Sequence, residues 1–156
     1  MNGRRPAVLF VCLGNICRSP TAEAVFRARA GAACIDVEID SAGTGNWHVG
    51  KPPDPRAQAA GEARGYDLSA LRARQVKAGD FTRFDLILAM DEDNYEILQL
   101  KAPEDARERI VMMMDFASRP SERSVPDPYY GGDEGFARVL DMLEDASDGL
   151  IAHLKR

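Results

Sequence analysis

The chain has 156 residues, of which 45% are hydrophobic and 29% are charged, a composition that predicts one globular domain with a buried core. Its 25 acidic residues outnumber its 20 basic ones, and the net charge of −5 argues against nucleic acid as a partner. No apolar run matches a membrane span or a signal peptide, so we expect a cytoplasmic protein with no membrane partner. Three cysteines are too few for a disulfide scaffold, so we expect their thiols to be reduced.

Strands and helices are predicted to alternate along the chain. In order they are Ala7–Cys12 (strand), Pro20–Ala30 (helix), Ile35–Asp40 (strand), Pro55–Arg64 (helix), Ala78–Phe84 (one helical turn), Asp85–Met90 (strand), Asp91–Leu100 (helix), Arg109–Met114 (strand) and Phe136–Leu154 (helix). Residues 43–56 and 117–135 are loops rich in glycine and proline. This alternation predicts a doubly wound α/β domain, with a parallel sheet covered by helices and a site beyond the carboxyl ends of the strands.

The segment from Cys12 to Arg18 joins the first strand to the first helix and carries the clearest chemical signal. A loop of this kind points successive N–H groups inward, and the helix that follows adds its positive end, so the segment is suited to bind phosphate. The planar guanidinium of Arg18 can hold two oxygens of such an anion. A thiol beside these positive groups loses its proton easily, and we therefore predict that Cys12 attacks the bound phosphorus.

Neighbouring residues of the loop agree with this interpretation. Gly14 permits backbone conformations that other residues resist, Asn15 tolerates positive φ, and Ser19 could donate its hydroxyl to the sulfur of Cys12. Taken singly, the cysteine could be a small buried apolar residue and the arginine a solvated one. The complete string "CLGNICRSP" favours the phosphate site over those simpler explanations.

The stretch "VLFVCLGNICRSPTAEAVF" resembles the active-site signature of the low-molecular-weight protein tyrosine phosphatases. The likeness continues through "DSAGTGNWHVGKPPDPRA", "ARQV", "FDLILAMDEDN" and "VPDPYYGG", and so covers nearly the whole chain. It implies one domain over residues 1–156 with a four-stranded parallel sheet flanked by helices on both faces. It also implies hydrolysis of phosphotyrosine through a cysteinyl-phosphate intermediate, with no cofactor and no metal ion.

The resemblance assigns roles to individual residues. Cys12 resembles the nucleophile, Arg18 the phosphate clamp and Asp127 the general acid, and a phenol leaving group with a pKa of about 10 does need a proton donor. The phosphate-binding loop would consist of Leu13, Gly14, Asn15, Ile16, Cys17 and Ser19, with Ser41 as support behind it. Trp47, Tyr129 and Tyr130 would form an aromatic rim around the substrate.

Two positions differ among relatives of this kind. Many carry a histidine where this chain has Leu71, so we expect a hydrogen-bond network reduced to Asn15, Ser19 and Ser41. Relatives with a second cysteine at the position of Cys17 can close a disulfide with the nucleophile, which predicts a redox partner for Cys12; the alternative is a small apolar filler behind the loop.

Other functions are less well supported by the residues. Gly45–Pro52 nearly matches a nucleotide-binding loop but ends in proline where a hydroxyl is needed, and the two histidines lack metal-ligand spacing with the cysteines. A thiol-dependent arsenate reductase needs further cysteines, and this chain has none after Cys34. A protein-arginine phosphatase usually has threonine where this chain has Ile16. A module that only binds phosphotyrosine would be expected to have lost Cys12 or Asp127, and both are present. The expected partners are phosphotyrosine-containing proteins, a bacterial tyrosine kinase being one candidate, with inorganic phosphate or oxyanion inhibitors in the loop.

Overall fold

One parallel sheet forms the centre of the molecule. The computed structural model describes residues 5–118, 123–129 and 132–155. Its strands are β1 (Ala7–Cys12), β2 (Glu38–Gly43), β3 (Leu86–Ala89) and β4 (Ile110–Met112), and every pairing is parallel in the order β2-β1-β3-β4. The predicted α/β class and four-stranded parallel sheet are confirmed.

Helices cover both faces of this sheet. They are α1 (Arg18–Ala32), α2 (Pro55–Glu62), α3 (Asp80–Arg83), α4 (Glu92–Lys101) and α5 (Asp133–Leu154), with 3₁₀ turns at Glu104–Arg109 and Met113–Phe116. Strand β1 is buried throughout, and its alternate residues serve the two layers: Phe10 packs in the cluster that includes Phe26 of α1, whereas Leu9 packs in the cluster that includes Leu98 of α4.

The order of the strands decides where a site can form. The chain leaves β1 for β2 on one side and returns to β3 on the other, so α1 and α4 leave the carboxyl ends of β1 and β3 toward opposite faces. A crevice opens at such a point in a doubly wound sheet. Cys12 is the last residue of β1 and therefore lies at the edge of this crevice.

Strand β2 lies three residues later than the sequence predicted. Its first residue, Glu38, pairs with Ala7, and Gly43 pairs with Cys12. The strand therefore ends in the small residues Ser-Ala-Gly beside the phosphate-binding loop, where a Cβ on Gly43 would come within 2.8 Å of the carbonyl oxygen of Leu13. The apolar and acidic alternation of Ile35–Asp40 was a misleading signal, because close packing against the loop, not strand propensity, sets the register.

The remaining boundaries differ by a few residues. Helix α1 begins at Arg18 and not at Pro20, so that Arg18 and Ser19 lie in its first turn. Strand β4 ends at Met112 because the next residues turn into the 3₁₀ segment, and α5 begins at Asp133, three residues before the predicted start. Across the described ranges, no helix has the length and apolar character needed to cross a membrane.

Candidate active site

The sulfur of Cys12 lies at the centre of a hydrogen-bonded loop between β1 and α1. It accepts bonds from the backbone N–H groups of Asn15 at 3.3 Å and Ser19 at 3.4 Å, and the Ser19 hydroxyl lies 3.0 Å away. Asn15 has φ of 57°, in the positive range that asparagine tolerates better than most residues. Donors converge here at a helix N-terminus, an arrangement that stabilises a negative charge on sulfur or on a bound anion.

The Asn15 side chain fastens this loop to its surroundings. Its Nδ2 donates to Ser19 Oγ at 2.8 Å and to Ser41 Oγ at 3.0 Å, and its Oδ1 accepts from the backbone N–H of Arg74 at 3.0 Å. The three members of the predicted reduced network are thus brought together. The network also extends further than predicted, because Ser41 donates to the buried carboxyl of Glu23 at 2.7 Å.

Leu71 does not enter this network. It is half-buried against the apolar cluster that contains Cys17, Val25 and Leu68. The acceptor of Asn15 is satisfied by the main chain at Arg74 instead, and the Arg74 side chain is fixed by ion pairs with Asp40 and Asp80.

Arg18 is almost completely buried, with 3% of its side chain exposed. Its Nη1 donates to Asp91 Oδ2 at 2.6 Å and to the carbonyl oxygen of Val125 at 3.0 Å. Burial acts to lower the pKa of Arg18, but the charges of Cys12 and Asp91 more than offset it, and the net shift is upward. The guanidinium is therefore a permanent cation held in one orientation.

Sequence reasoning missed the partner of this arginine. Asp91 is the second residue after β3 and caps α4, accepting from the backbone N–H of Asn94 at 2.7 Å. The signal was present, because β3 neighbours β1 in the sheet and the carboxyl ends of parallel strands lie at the same edge. An aspartate directly after a buried strand is a candidate for the site by position alone.

Asp127 lies beside the other terminal nitrogen of Arg18 from the one that Asp91 binds. Its Oδ2 is 3.7 Å from Arg18 Nη2, and its Oδ1 accepts from the backbone N–H of Tyr129 at 3.0 Å. The segment before it is anchored by Val125, whose N–H donates to the carbonyl oxygen of Met90 at 2.7 Å. Asp127 is 41% exposed, so its carboxyl has access to solvent as well as to the pocket.

These groups share a cavity of about 360 Å³. Its lining residues are Cys12, Leu13, Gly14, Ile16, Cys17, Arg18, Trp47, His48, Asp127 and Tyr129. His48 was not among the predicted rim residues; it follows Trp47 in the same turn, and its ring lies 6.5 Å from that of Tyr129. Tyr130, the remaining predicted rim residue, lies outside the described residues.

Cys17 is buried at the start of α1 and packs in the cluster with Val25 and Leu68. Burial, followed by the negative charge of Asp54, raises the pKa of the Cys17 thiol to about 12. Cys17 is therefore a neutral thiol at physiological pH. All three cysteines are free thiols, and no group of three or more metal-ligating side chains occurs in the parts of the chain that the structure describes.

Comparison with known proteins places these features in a family. The family model described as low molecular weight phosphotyrosine protein phosphatase matches residues 7–156. A low molecular weight protein-tyrosine-phosphatase of Streptomyces coelicolor is 47% identical over 153 residues, covering 95% of this chain and 93% of that protein.

Solved structures agree with the sequence comparison. A protein tyrosine phosphatase of Entamoeba histolytica, crystallised with HEPES in its active site, superposes with a TM-score of 0.93 at 45% identity, covering 96% of this chain and 97% of that one. Vibrio vulnificus Wzb in complex with benzylphosphonate superposes with a TM-score of 0.84 at 26% identity, covering 96% and 99%.

Proposed function

The chain belongs to the low molecular weight phosphotyrosine protein phosphatase family and is a protein-tyrosine phosphatase, and from this premise we propose that it works through a cysteinyl-phosphate on Cys12 without a metal ion. One observation carries the proposal: the sulfur of Cys12, the guanidinium of Arg18 and the carboxyl of Asp127 line the same cavity. They are the nucleophile, the clamp for the anion and the proton donor that such a reaction needs.

In the first step the phosphate group occupies the loop between β1 and α1. The inward N–H groups and the Arg18 fork neutralise its non-bridging oxygens, and the Cys12 thiolate attacks phosphorus. An S–P bond forms as the bond from phosphorus to the phenolic oxygen breaks. Asp127 gives its proton to that oxygen, and tyrosine leaves as the neutral phenol.

In the second step the ionised Asp127 takes a proton from a water molecule whose oxygen attacks the same phosphorus. The S–P bond breaks, inorganic phosphate departs and Cys12 returns as a thiolate. The Ser19 hydroxyl, 3.0 Å from the sulfur, stabilises that thiolate both as attacker in the first step and as leaving group in the second.

The walls of the cavity suit an aryl phosphate. Trp47 and Tyr129 offer ring surface at the mouth, and an aromatic contact contributes about 0.5–1.5 kcal/mol beyond the area that it buries. The benzylphosphonate bound by the Vibrio relative supports such a ligand class. The substrates we propose are phosphotyrosine-containing proteins, with a bacterial tyrosine kinase as one candidate, and inorganic phosphate or other oxyanions would compete for the loop.

Leaving-group dependence tests the assignment of Cys12 and Asp127. Cys12→Ser is expected to lose turnover and keep phosphate binding, because a serine hydroxyl is not ionised near neutral pH. Asp127→Asn should lower kcat/KM for phosphotyrosine by about a hundredfold and have much less effect on aryl phosphates of acidic phenols, which leave without a proton. Equal losses across leaving groups would exclude the general-acid role.

Substrate class and metal independence need separate measurements. We expect phosphotyrosine peptides to be hydrolysed in preference to matched phosphoarginine peptides, because Ile16 provides no hydroxyl beside an N-linked phosphate. Activity should survive treatment with EDTA. A preference for phosphoarginine, or inactivation that added metal reverses, would contradict the proposal.

A further inference from the structure

An ion pair beside the pocket takes no part in the chemistry described above. Asp54 caps α2, accepting from the backbone N–H of Arg56 at 2.8 Å. The same carboxylate accepts from the Arg56 side chain at 3.2 Å and 3.1 Å, with one bond to each oxygen. Burial acts to raise the pKa of Asp54, but the bonds from Arg56 lower it overall, so the pair stays charged.

This pair touches both loops that carry the proposed catalytic groups. On one side the backbone N–H of Asp54 donates to the carbonyl oxygen of Ile16, within the phosphate-binding loop, at 2.8 Å. On the other side Arg56 Nη2 donates to the carbonyl oxygen of Tyr129 at 2.7 Å. Tyr129 in turn donates its N–H to Asp127 at 3.0 Å.

Arg56 also fixes the orientation of the segment that follows Asp127. Its guanidinium carbon lies 5.5 Å from the centre of the Tyr129 ring and 5.0 Å from that of Phe136 on α5. Contacts of this geometry add attraction between the cation and the ring faces. Arg56 thereby links the segment to α2 and itself contacts α5.

Asp127 consequently lies between two anchored points of main chain. The carbonyl oxygen of Val125, two residues before it, accepts from Arg18, and that of Tyr129, two residues after it, accepts from Arg56. Asp127 is itself 41% exposed, so its own side-chain contacts cannot fix a carboxyl within the narrow range that proton donation requires.

We propose that Asp54 and Arg56 form a positioning pair that holds Asp127, through Tyr129, where it can protonate the leaving oxygen. The pair acts on the acid and not on the phosphate, because its contact with the phosphate-binding loop is made by backbone atoms that side-chain substitution leaves in place. This inference rests on the general-acid role proposed for Asp127.

The test is a set of kcat/KM values measured against the pKa of the leaving phenol. This ratio reports formation of the cysteinyl-phosphate whether or not its hydrolysis limits turnover. Arg56→Ala is expected to lower kcat/KM for phosphotyrosine about tenfold, part of the contribution of a general acid. It should change kcat/KM for the phosphate of an acidic phenol less than twofold and leave inhibition by inorganic phosphate unchanged.

Further variants distinguish positioning from a general effect on folding. Asp54→Asn keeps a good helix cap and removes the charge, so it should reproduce the leaving-group effect more weakly, and Arg56→Lys should fall between wild type and Arg56→Ala. Arg83→Ala is the matched control, since Arg83 also pairs with a carboxylate, Glu38 at 2.8 Å, and also lies over a ring, that of Phe84. It should leave all rates unchanged.

A uniform loss for every leaving group, or no loss with phosphotyrosine, would overturn the proposal. In the double variant Arg56→Ala/Asp127→Asn, the Arg56 substitution should cost nothing more with phosphotyrosine, and an additive loss would also contradict it. If Asp127→Asn alone shows no leaving-group dependence, the general-acid assignment fails first. If Asp127→Asn behaves as expected and Arg56→Ala does not, only the positioning role is wrong.

Discussion

Replacing Asp91 by asparagine is expected to destabilise the ligand-free protein and to strengthen its response to phosphate. The wild-type carboxylate uses one oxygen to accept from Arg18 at 2.6 Å and the other to cap α4 through Asn94 at 2.7 Å. Asparagine has one acceptor oxygen, so either the buried guanidinium or the helix end must face an amide NH₂ group. The variant therefore leaves a nearly enclosed cation without the nearer of its two carboxylates, the other being Asp127 at 3.7 Å.

The magnitude follows from the burial of the two groups. Breaking a fully buried ion pair by removing one partner costs about 3–5 kcal/mol. Asp91 is 24% exposed and Arg18 keeps the Val125 carbonyl, so we expect a loss of about 2 kcal/mol in the free energy of unfolding, the range of one hydrogen bond to a charged group. For a domain of this size that loss lowers Tm by about 4–8 °C.

Phosphate supplies the negative charge that the variant lacks. A dianion in the loop would meet Arg18 without repulsion from the carboxylate of Asp91, so we expect Asp91→Asn to bind phosphate about tenfold more tightly than wild type, equivalent to about 1.4 kcal/mol. The assay is a series of thermal melts across a phosphate titration. The Tm values of the two proteins should converge as phosphate approaches saturation.

The control is Asp93→Asn, which removes the same charge from an exposed position in the first turn of the same helix. It should change neither Tm nor the response to phosphate appreciably. If Asp91→Asn melts at a lower temperature but phosphate shifts both proteins equally, the loss comes from the helix cap alone. That result, or an unchanged Tm, would refute the view that Asp91 compensates the charge of Arg18.

Three further predictions concern single side chains of the site. Arg18→Lys should lower kcat/KM for phosphotyrosine by about a hundredfold, because an ammonium cannot replace the bidentate fork, and near-normal kcat/KM would reject the clamp. Burial raises the pKa of Glu23 above its ordinary value of 4.5. In urea unfolding, the free energy of unfolding of wild type relative to Glu23→Gln should therefore fall as pH rises from about 4.5 toward neutrality. A difference in stability that stays constant with pH would contradict this. After treatment with peroxide, dithiothreitol should restore the activity of wild type and not that of Cys17→Ser. Because burial keeps the Cys17 thiol neutral, its capture of the oxidised Cys12 should be faster at higher pH. Equal recovery of both proteins, without a Cys12–Cys17 disulfide in mass spectra, would mean that Cys17 serves only in packing.

The parts of the fold that sequence predicts well are those decided by local residues. Strand β1 is an uninterrupted apolar run, and its prediction is confirmed at both ends. The prediction for strand β2 was wrong by three residues, because its register depends on the contact of Gly43 with the phosphate-binding loop, and no local sequence pattern shows that contact. The bonds of Asp91 to Arg18 and of Arg56 to Tyr129 each join residues 73 positions apart, so the sequence could not pair them, although the place of Asp91 after a predicted strand marked it as a candidate.

The Asn15 side chain holds the phosphate-binding loop without any contribution from the apolar side chain at position 71. Asn15 has one acceptor and two amide hydrogens, and all are used: Arg74 donates to the acceptor from its main chain, and Ser19 and Ser41 accept the two hydrogens. Because Ser41 gives its own proton to the carboxyl of Glu23 at 2.7 Å, it can only accept from Asn15, which fixes the direction of both bonds. The hydroxyl hydrogen of Ser19 then has two acceptors within reach, the sulfur of the nucleophile at 3.0 Å and the carbonyl oxygen of Ala42 at 3.4 Å. The Asn15 side chain is therefore bonded to a backbone N–H on one side and to two serines on the other, one of which is bonded to a buried carboxyl. An apolar residue at position 71 leaves none of its side-chain polar atoms without a partner.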